Sequence, residues 1–532
     1  MYAINGLVAM ALVQVSLEIP PATTANLSCL PAPMRSAFET PLWGTEDPVK
    51  RWARLSELAS EEFGSEGDPL PLLPELRPRY LVDDEGREIV LHGLNVSNSS
   101  KEDPLLGWTT EAEWAQMQAW GFNFVRLVIN WSQIEPVQDE ISEDYLDRIV
   151  ERLDWGERYG LYVLVDFHQD VYGPRFGSNG CPDWATRDDG LPFEGQDPWW
   201  LSYLQPAVRA AFSHLWRDDD LQVEYADAAA AVAARVGEHP ALIGYDLMNE
   251  PFQGNELGLF ENRRLRPFFR RVSAAIRTED PDARVFFEPA AFPTSSGLPS
   301  RMLPYGDANA VYAPHFYHPL VHEGMAYRGN RTLLALAIYM KAMEAERHVT
   351  PMVIGEFGAW HDDRNQDQYL HDLMSIFDRL AGGWAFWSYD PGVLTDEGGD
   401  WRFNLEAIVR PYPRRVSGKI VGYHFDRVAR KFELRWQSRQ GLDAPTEIHL
   451  PVDRFYPAGF MVRSTDAEER WRYEFEGGTG ILRVWHDPAT TDHELIVSPA
   501  NTSKRIAPRN GGMGGRPGVG VGGAGGEKIR ER

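Results

Sequence analysis

Residues 142–167 read SEDYLDRIVERLDWGERYGLYVLVDF. The first part, Ser142–Tyr159, opens with Ser-Glu-Asp and is followed by Gly160, and these are start and stop signals of an amphipathic helix. The apolar run Leu161–Phe167 comes next and is typical of a buried strand in a parallel sheet. A helix followed at once by such a strand is the building unit of α/β domains.

The same unit recurs over most of the chain. Strands are predicted at Ile89–Asn95, Phe122–Ile129, Leu161–Phe167, Leu242–Met248, Arg284–Glu288, Ala310–Phe316, Met352–Glu356 and Gly383–Ser388. Helices are predicted at Thr110–Trp120, Ser142–Tyr159, Leu221–Val236, Arg263–Arg277, Thr332–Arg347 and Gln366–Leu380. Eight apolar strands alternating with helices predict an α/β fold, a (β/α)8 barrel.

The regions on both sides of the predicted barrel differ from it. We place the barrel at residues 80–414 and expect a leader and an irregular segment at 1–79, in which 1–25 could be a secretory signal. The apolar run Leu7–Leu17 favours secretion, although no basic residue precedes it. Short alternating strands predict a small β-sandwich at 415–505, and a glycine-rich tail at 506–532 is expected to be disordered. We therefore expect an extracellular or secreted protein.

Charge and cysteine content exclude several classes of function. Acidic residues outnumber basic ones by 78 to 53, for a net charge of -25, so the chain lacks the basic surface that nucleic acids need. Cys29 and Cys181 are the only cysteines, which excludes a disulfide scaffold and a multi-cysteine zinc module. Both a Cys29–Cys181 bridge and two free thiols remain open. We expect neither a metal nor a cofactor.

Polar side chains gather where the predicted strands end, which is where parallel barrels place their active sites. Two of them are carboxylates, Glu250 and Glu356, which follow the fourth and seventh strands and should face each other across the barrel mouth. The others are His92, Asn95, Arg126, Asn130, Trp131, Asp166, His168, Asp170, Asn249, His315, Tyr317, Trp387 and Asp390.

Two facing carboxylates suit the hydrolysis of a glycosidic bond. One carboxyl group must donate a proton to the leaving oxygen, and the other must be ionised to attack the anomeric carbon. We expect Arg126 to lower the pKa of Glu356 and Tyr317 to orient it. Burial and the second carboxylate should raise the pKa of Glu250, which would then be the acid. A retaining enzyme predicts carboxyl groups about 5–5.5 Å apart.

Two motifs at these positions resemble glycoside hydrolase family 5. They are YDLMNEP at 245–251 and VIGEFG at 353–358. Within that family, VDFHQD (165–170), NGCPDWA (179–185), DGLP (189–192), APHFYHP (313–319) and GWAFWSYD (383–390) resemble the endoglycoceramidases. The resemblance runs from about Val90 to Pro499 and implies a retaining O-glycosyl hydrolase.

The resemblance also implies roles for single residues. Glu250 would be the acid/base and Glu356 the nucleophile. Arg126, His315 and Tyr317 would orient the nucleophile. The implied substrate-binding residues are Lys101, His168, Asp170, Trp199, Asn249, Tyr317 and Trp387. An apolar set in the long loop after the third strand could receive lipid; it consists of Trp184, Trp199, Trp200, Tyr203 and Leu204.

The implied reaction is release of ceramide from glycosphingolipids by a monomer that touches a membrane or micelle only transiently. Three alternatives stay open. A glucosylceramidase or steryl-β-glucosidase would remove a single sugar and have a blocked glycone side. A family-5 β-glucanase would have an open polar cleft. A non-catalytic glycolipid-binding barrel is argued against by the presence of both glutamates.

Overall fold

The computed structural model describes residues 76–101, 106–256, 258–476 and 479–500. The candidate signal at 1–25, Cys29 and the predicted tail at 506–532 lie outside the described residues. Cys181 is a buried free thiol. Within the described ranges, every helix is either too short or too polar to cross a lipid bilayer.

Eight parallel strands form the predicted barrel. They follow two short strands, β1 (Leu81–Val82) and β2 (Glu88–Ile89), and are β3 (Leu91–Val96), β4 (Phe124–Ile129), β5 (Tyr162–Phe167), β6 (Leu242–Asp246), β7 (Val285–Phe287), β8 (Ala310–Tyr312), β9 (Val353–Phe357) and β10 (Gly383–Phe386). Neighbours in the chain pair from β3 to β8, and β10 lies between β3 and β9. A parallel bridge between Tyr312 and Met352 joins β8 to the start of β9. The prediction of a (β/α)8 barrel is confirmed.

Helices connect the barrel strands. The long ones are α1 (Glu111–Ala119), α2 (Glu143–Tyr159), α3 (Pro206–Arg217), α4 (Asp219–Val236), α5 (Arg266–Glu279), α6 (Arg331–His348) and α7 (Gln366–Leu380). Shorter ones are Trp131–Ile134, Ala291–Thr294, Pro319–His322, Phe403–Ile408 and Val452–Phe455. Helix α2 begins and ends as its sequence predicts. The Ser142 hydroxyl accepts a hydrogen bond from the Tyr145 amide at 3.3 Å, and Gly160 ends the helix with φ 64°.

The barrel interior has an apolar layer beneath a polar one. Each strand contributes one apolar side chain to the lower layer: Leu91, Phe124, Leu164, Ile243, Phe286, Val311, Val353 and Ala385. Side chains on a strand alternate between its two faces, so the residue two positions after an inward one points inward again. Arg126, Asp166 and Glu288 stand two positions after members of this layer. The alternation therefore places charged side chains directly above a dry core.

Two antiparallel sheets form the C-terminal sandwich. The larger sheet has the order β1-β2-β11-β14-β17-β16 and the smaller one β12-β13-β18-β15. Their C-terminal strands are β11 (Tyr412–Val416), β12 (Gly418–Asp426), β13 (Lys431–Ser438), β14 (Thr446–His449), β15 (Phe460–Ser464), β16 (Trp471–Glu476), β17 (Thr479–Val484) and β18 (Asp492–Pro499). The hairpin of β1 and β2, which the sequence analysis grouped with the barrel, thus completes a sandwich sheet.

The sandwich covers the amino end of the barrel. Tyr412 stacks on His92 with ring centroids 3.7 Å apart, and its hydroxyl donates a 2.9 Å hydrogen bond to the Gly121 carbonyl. His92 was grouped with the mouth residues, and that placement is wrong. It stands second in β3, so it lies near the amino end of its strand and faces the sandwich.

Candidate active site

Arg126 on β4 is the centre of the polar layer and is completely buried. Its N–H groups donate hydrogen bonds of 2.8–3.1 Å to Asn95, Asp246, Asn249, Glu288 and Glu356. Asp166 lies 3.0 Å from the same guanidinium. A guanidinium has five N–H donors in a fixed fork, and here all five have an acceptor. One buried cation therefore sets the positions of side chains from several strands.

Glu356, in β9, has the surroundings of an ionised nucleophile. Arg126 donates to one of its carboxylate oxygens at 2.8 Å, and the Tyr317 hydroxyl donates to the other at 2.9 Å. Burial and the Glu356 charge keep the pKa of Tyr317 well above its usual range, so the phenol stays protonated and remains a donor. The predicted contacts of Arg126 and Tyr317 with Glu356 are both present.

Glu250 follows β6 and has different partners. Its Oε1 lies 3.1 Å from His315 Nδ1 and accepts a 3.3 Å hydrogen bond from the Ser295 hydroxyl. Its backbone has φ 43°, and its N–H donates to Glu288 at 2.9 Å. These contacts hold both the main chain and the side chain of the predicted acid/base.

The expectation of a raised pKa for Glu250 is wrong for the free enzyme. Burial acts to raise it, but the hydrogen bond from His315 and the charge of that imidazolium outweigh burial and lower the pKa of Glu250. The pKa of His315 shifts in the opposite direction. Burial opposes its charged form, but Glu288 and Glu356 raise the pKa of His315 well above its usual range.

The two catalytic carboxylates lie close together. Single ligand-type atoms of Glu250, His315 and Glu356 all lie within 4.8 Å of one another. Inverting glycosidases separate the carboxyl groups by about 6.5–9.5 Å to admit a water, whereas retaining ones need about 5–5.5 Å. The spacing therefore fits a direct attack by Glu356. Since Arg126 and Tyr317 already donate to both Glu356 oxygens, the trio suits this chemistry better than metal binding.

A second polar group lies beside the carboxylates. His168 Nδ1 is 2.7 Å from Asp166, and its ring stacks on Trp387 with centroids 5.5 Å apart. Lys101 forms an ion pair with Asp170, and its ammonium group lies 4.1 Å from the centre of the Trp387 ring. An aromatic face surrounded by charged donors and acceptors is suited to a sugar ring. The structure thus groups four of the predicted substrate-binding residues: Lys101, His168, Asp170 and Trp387.

Charge pairing holds Asp170 ionised within this group. Burial acts to raise its pKa, but Lys101 and His168 outweigh burial and hold the pKa of Asp170 well below its usual range. Asn249, the remaining inner residue, accepts from Arg126 and donates one N–H to the Gln169 carbonyl at 3.0 Å. Its contact with a substrate hydroxyl stays a prediction.

Trp199 and Trp184, both in the predicted lipid-contact set, differ in exposure and in their contacts. Trp199 is half exposed and lies near Tyr203, with ring centroids 6.3 Å apart, so its role in binding substrate stays a prediction. Trp184 packs edge-on against Trp131 and donates its indole N–H to the Glu135 carbonyl at 3.0 Å. Trp184 therefore serves the packing of the loop.

Sequence reasoning gave no role to three buried carboxylates of the network. Asp166 was placed among the mouth residues without a partner, and it contacts both Arg126 and His168. Asp246 and Glu288 were not considered. Glu288 directly follows β7 and had a usable signal, because it is the polar residue that ends the fifth predicted strand.

Comparison with known proteins agrees with this geometry. The family model Cellulase (glycosyl hydrolase family 5) matches residues 82–392, and that of the glycoside hydrolase family 5 C-terminal domain matches residues 410–497. Endoglycoceramidase I of Rhodococcus hoagii is 29% identical over 72% of this chain and 80% of its own length. Endoglycoceramidase of Cyanea nozakii is 28% identical over 69% and 82%.

A solved structure is similar as well. Endo-glycoceramidase II from Rhodococcus sp., in its ganglioside GM3 complex, is 31% identical, with a TM-score of 0.73 over 80% of this chain and 100% of that chain. The same enzyme is known as a lactosyl-enzyme intermediate. On the family match and the paired carboxylates together, the chain belongs to glycoside hydrolase family 5.

Proposed function

We propose that this protein is a retaining endo-β-glycosidase that hydrolyses the bond between the oligosaccharide and the ceramide of glycosphingolipids. The observation that carries the proposal is the carboxylate pair, in which Glu250 and Glu356 oxygens lie within 4.8 Å and Glu356 is held by Arg126 and Tyr317. The substrate class is supported by the similar endoglycoceramidases, one of which binds ganglioside GM3.

In the first step, Glu356 attacks the anomeric carbon of the sugar joined to ceramide. Glu250 gives a proton to the departing oxygen, so ceramide leaves as a neutral alcohol and the sugar becomes an ester of Glu356. His315, whose Nδ1 is 3.1 Å from Glu250, supplies this proton along one hydrogen bond as negative charge develops on the leaving oxygen.

In the second step, a water molecule takes the place of ceramide. Glu250, now a carboxylate, removes a proton from the water, whose oxygen attacks the anomeric carbon and breaks the bond to Glu356. Two inversions at one carbon retain the β configuration. Sugar contacts with Trp387, Lys101 and Asp170 hold the glycone through both steps.

Large exposed apolar side chains lie on the segments that follow the carboxyl ends of β5, β6 and β8. They are Trp199, Leu259, Leu320 and Met325. Apolar groups concentrated beside an active site favour contact with a lipid or a micelle surface. The proposal includes such a transient contact, made by a monomer. It also includes secretion directed by residues 1–25.

The test uses lactosylceramide that carries a label on its acyl chain. Free labelled ceramide with intact lactose, released first as the β anomer, is the expected result. Glu356→Ala should give neither product. Glu279→Gln, which changes an exposed glutamate at the end of α5, is the matched control and should act like the wild type.

Other products would assign a different reaction. Labelled glucosylceramide with free galactose would contradict endo action, and cleavage of glucosylceramide alone would favour a glucosylceramidase. Hydrolysis of a soluble β-glucan without lipid cleavage would contradict the substrate class. Absence of all hydrolysis would leave a glycolipid-binding barrel.

A further inference from the structure

Glu288 directly follows β7. It contacts Arg126, which binds the nucleophile Glu356, and it contacts His315 and the main chain of the acid/base Glu250. Its side chain is buried. Oε1 lies 3.0 Å from Arg126 Nη2 and 3.1 Å from His315 Nε2, and Oε2 accepts the Glu250 N–H at 2.9 Å. Three donors therefore face two carboxylate oxygens.

The contacts of Glu288 with His315 and with the Glu250 N–H are harder to replace than its contact with Arg126. Arg126 has four further hydrogen-bond acceptors, so it keeps its place if one is lost. Glu250 has a left-handed backbone, φ 43°, which a residue with a side chain adopts only when its surroundings hold it. Two hydrogen bonds provide that hold: the Glu250 N–H donates to Glu288, and the Glu250 carbonyl accepts from the Gln169 side chain at 2.9 Å.

The imidazole of His315 is the second route from Glu288 to Glu250. His315 presents Nδ1 to Glu250 at 3.1 Å and Nε2 to Glu288 at 3.1 Å. Nδ1 is in hydrogen-bond geometry with Glu250, whereas Nε2 lies at ion-pair distance from Glu288 without an aligned hydrogen bond. A carboxylate on each side of the ring favours its imidazolium form. The Glu288 charge stabilises that form, and with it the proton that Glu250 passes to the leaving group.

We propose that Glu288 is a positioning residue for proton donation, which fixes the main chain of Glu250 and keeps the protonated His315 beside its side chain. The inference rests on the proposed function and adds a residue to its first step. A carboxylate is required, because a glutamine would turn an NH2 group towards at least one of the three donors.

The test compares two substrates that differ in their need for an acid. Lactosylceramide has an alkoxide leaving group that must be protonated, whereas the phenolate of 2,4-dinitrophenyl β-lactoside leaves without a proton. For Glu288→Gln, kcat/KM for lactosylceramide should fall about 100-fold, since general acid catalysis supplies about 10²–10⁴. For the dinitrophenyl lactoside it should fall less than about 5-fold.

Asp246→Asn is the matched control. Asp246 also binds Arg126, at 3.0 Å from Nε, but no contact with Glu250 or His315 is present within the described ranges. Burial raises the pKa of Asp246 well above its usual range, so Asp246→Asn mainly changes the contact with Arg126 and should lower kcat/KM by the same factor for both substrates. Circular dichroism of both variants checks that they are folded.

Equal losses on the two substrates by Glu288→Gln, or no loss at all, would overturn the inference. If that variant does not fold, Glu288→Asp takes its place, because it keeps the charge but is too short to reach both His315 and the Glu250 N–H. It should again lose more activity on lactosylceramide, and an equal loss would overturn the inference. A wild-type enzyme that cleaves neither lactoside would instead refute the proposed function.

Discussion

His315 at the barrel mouth and His92 at the opposite end are buried to the same degree, with 2% and 1% of their surface exposed. The pKa values of the two imidazoles are shifted in opposite directions. Glu288 and Glu356 raise the pKa of His315 despite its burial, whereas burial, helped by Arg410 and His449, lowers the pKa of His92 well below its usual range. His92 instead stacks between Tyr412 and Trp384, with centroids 3.7 and 4.3 Å away.

The comparison shows what the two ends of the barrel are built for. Burial alone disfavours a charged imidazole, as the amino end demonstrates. At the mouth, carboxylates from several strands reverse that preference and favour a protonated His315 imidazole, one hydrogen bond away from Glu250. At the amino end, packing of apolar and aromatic side chains against the sandwich stabilises the fold. At the mouth, buried charged groups remain because the proposed hydrolysis needs them.

The largest expected effect is loss of the nucleophile at the mouth. Glu356→Ala should lower kcat on lactosylceramide by roughly 10⁴-fold or more, because no second group can form the glycosyl ester. Thermal unfolding should show a folded protein. Addition of azide, a small anion that can attack in place of Glu356, should restore some turnover and give the α-glycosyl product. A variant that kept wild-type turnover would place the nucleophile elsewhere.

The next largest effect concerns the contribution of the Arg126 guanidinium to the stability of the protein. Arg126→Gln should lower the free energy of unfolding at pH 7 by about 3–5 kcal/mol, because buried carboxylates lose their counter-charge. These groups would then take up protons in the folded state, so the variant should gain stability relative to the wild type as the pH falls from 7 to 5. Urea unfolding at both pH values measures this.

The control for that experiment is Arg158→Gln. Arg158 pairs with Glu111 on the surface, where solvent and salt screen an ion pair so that it contributes little to stability. Its removal should leave unfolding nearly unchanged at both pH values. If Arg126→Gln were as mild as Arg158→Gln, the central role of Arg126 would be contradicted.

At the amino end, the expected pH dependence comes from histidines. Burial and Arg414 lower the pKa of His449 to about 3, so its protonation in an unfolded chain destabilises the fold as the pH falls below about 6.5. At pH 5 this cost is about 2 kcal/mol. His449→Gln should remove this cost. Between pH 7 and pH 5, the free energy of unfolding of the variant should therefore fall by about 2 kcal/mol less than that of the wild type.

His214 provides a control of opposite sign. Burial acts to lower its pKa, but Asp189 and Asp218 raise it, so His214 contributes stability below about pH 6.5 that is lost as the pH rises through its folded pKa. His214→Gln should therefore lose more stability than the wild type at pH 5. The same pH dependence in both variants would refute the assignment.

The smallest effect concerns the apolar rim of the mouth. Trp199→Ala should lower kcat/KM for micellar lactosylceramide by about 2–5-fold, because part of an indole no longer meets lipid. The soluble dinitrophenyl lactoside should be cleaved at the wild-type rate. Phe475→Ala, which removes an exposed ring from the sandwich, should change neither rate. A loss on both substrates would make Trp199 a sugar contact rather than a lipid contact.

Much of the site follows from local sequence patterns. Glu250 and Glu356 stand at the ends of apolar strands, and a parallel barrel brings strand ends to one mouth. Arg126 and Tyr317 could be paired with Glu356 on the same ground. Glu288 and Asp246 could not be assigned roles, because their partners come from strands far away in the chain.

The sequence by itself determined the barrel, the sandwich and the two carboxylates, since strand periodicity, turn residues and strand-end motifs are local properties of a chain. The tertiary structure alone decided which groups carry protons. A pKa depends on burial and on charges within a few ångströms, and the charges that act on Glu250 and His315 come from distant parts of the chain, including Lys101, Asp170, Glu288 and Glu356. For that reason the pKa of Glu250 is lowered and that of His315 is raised, although both side chains are buried.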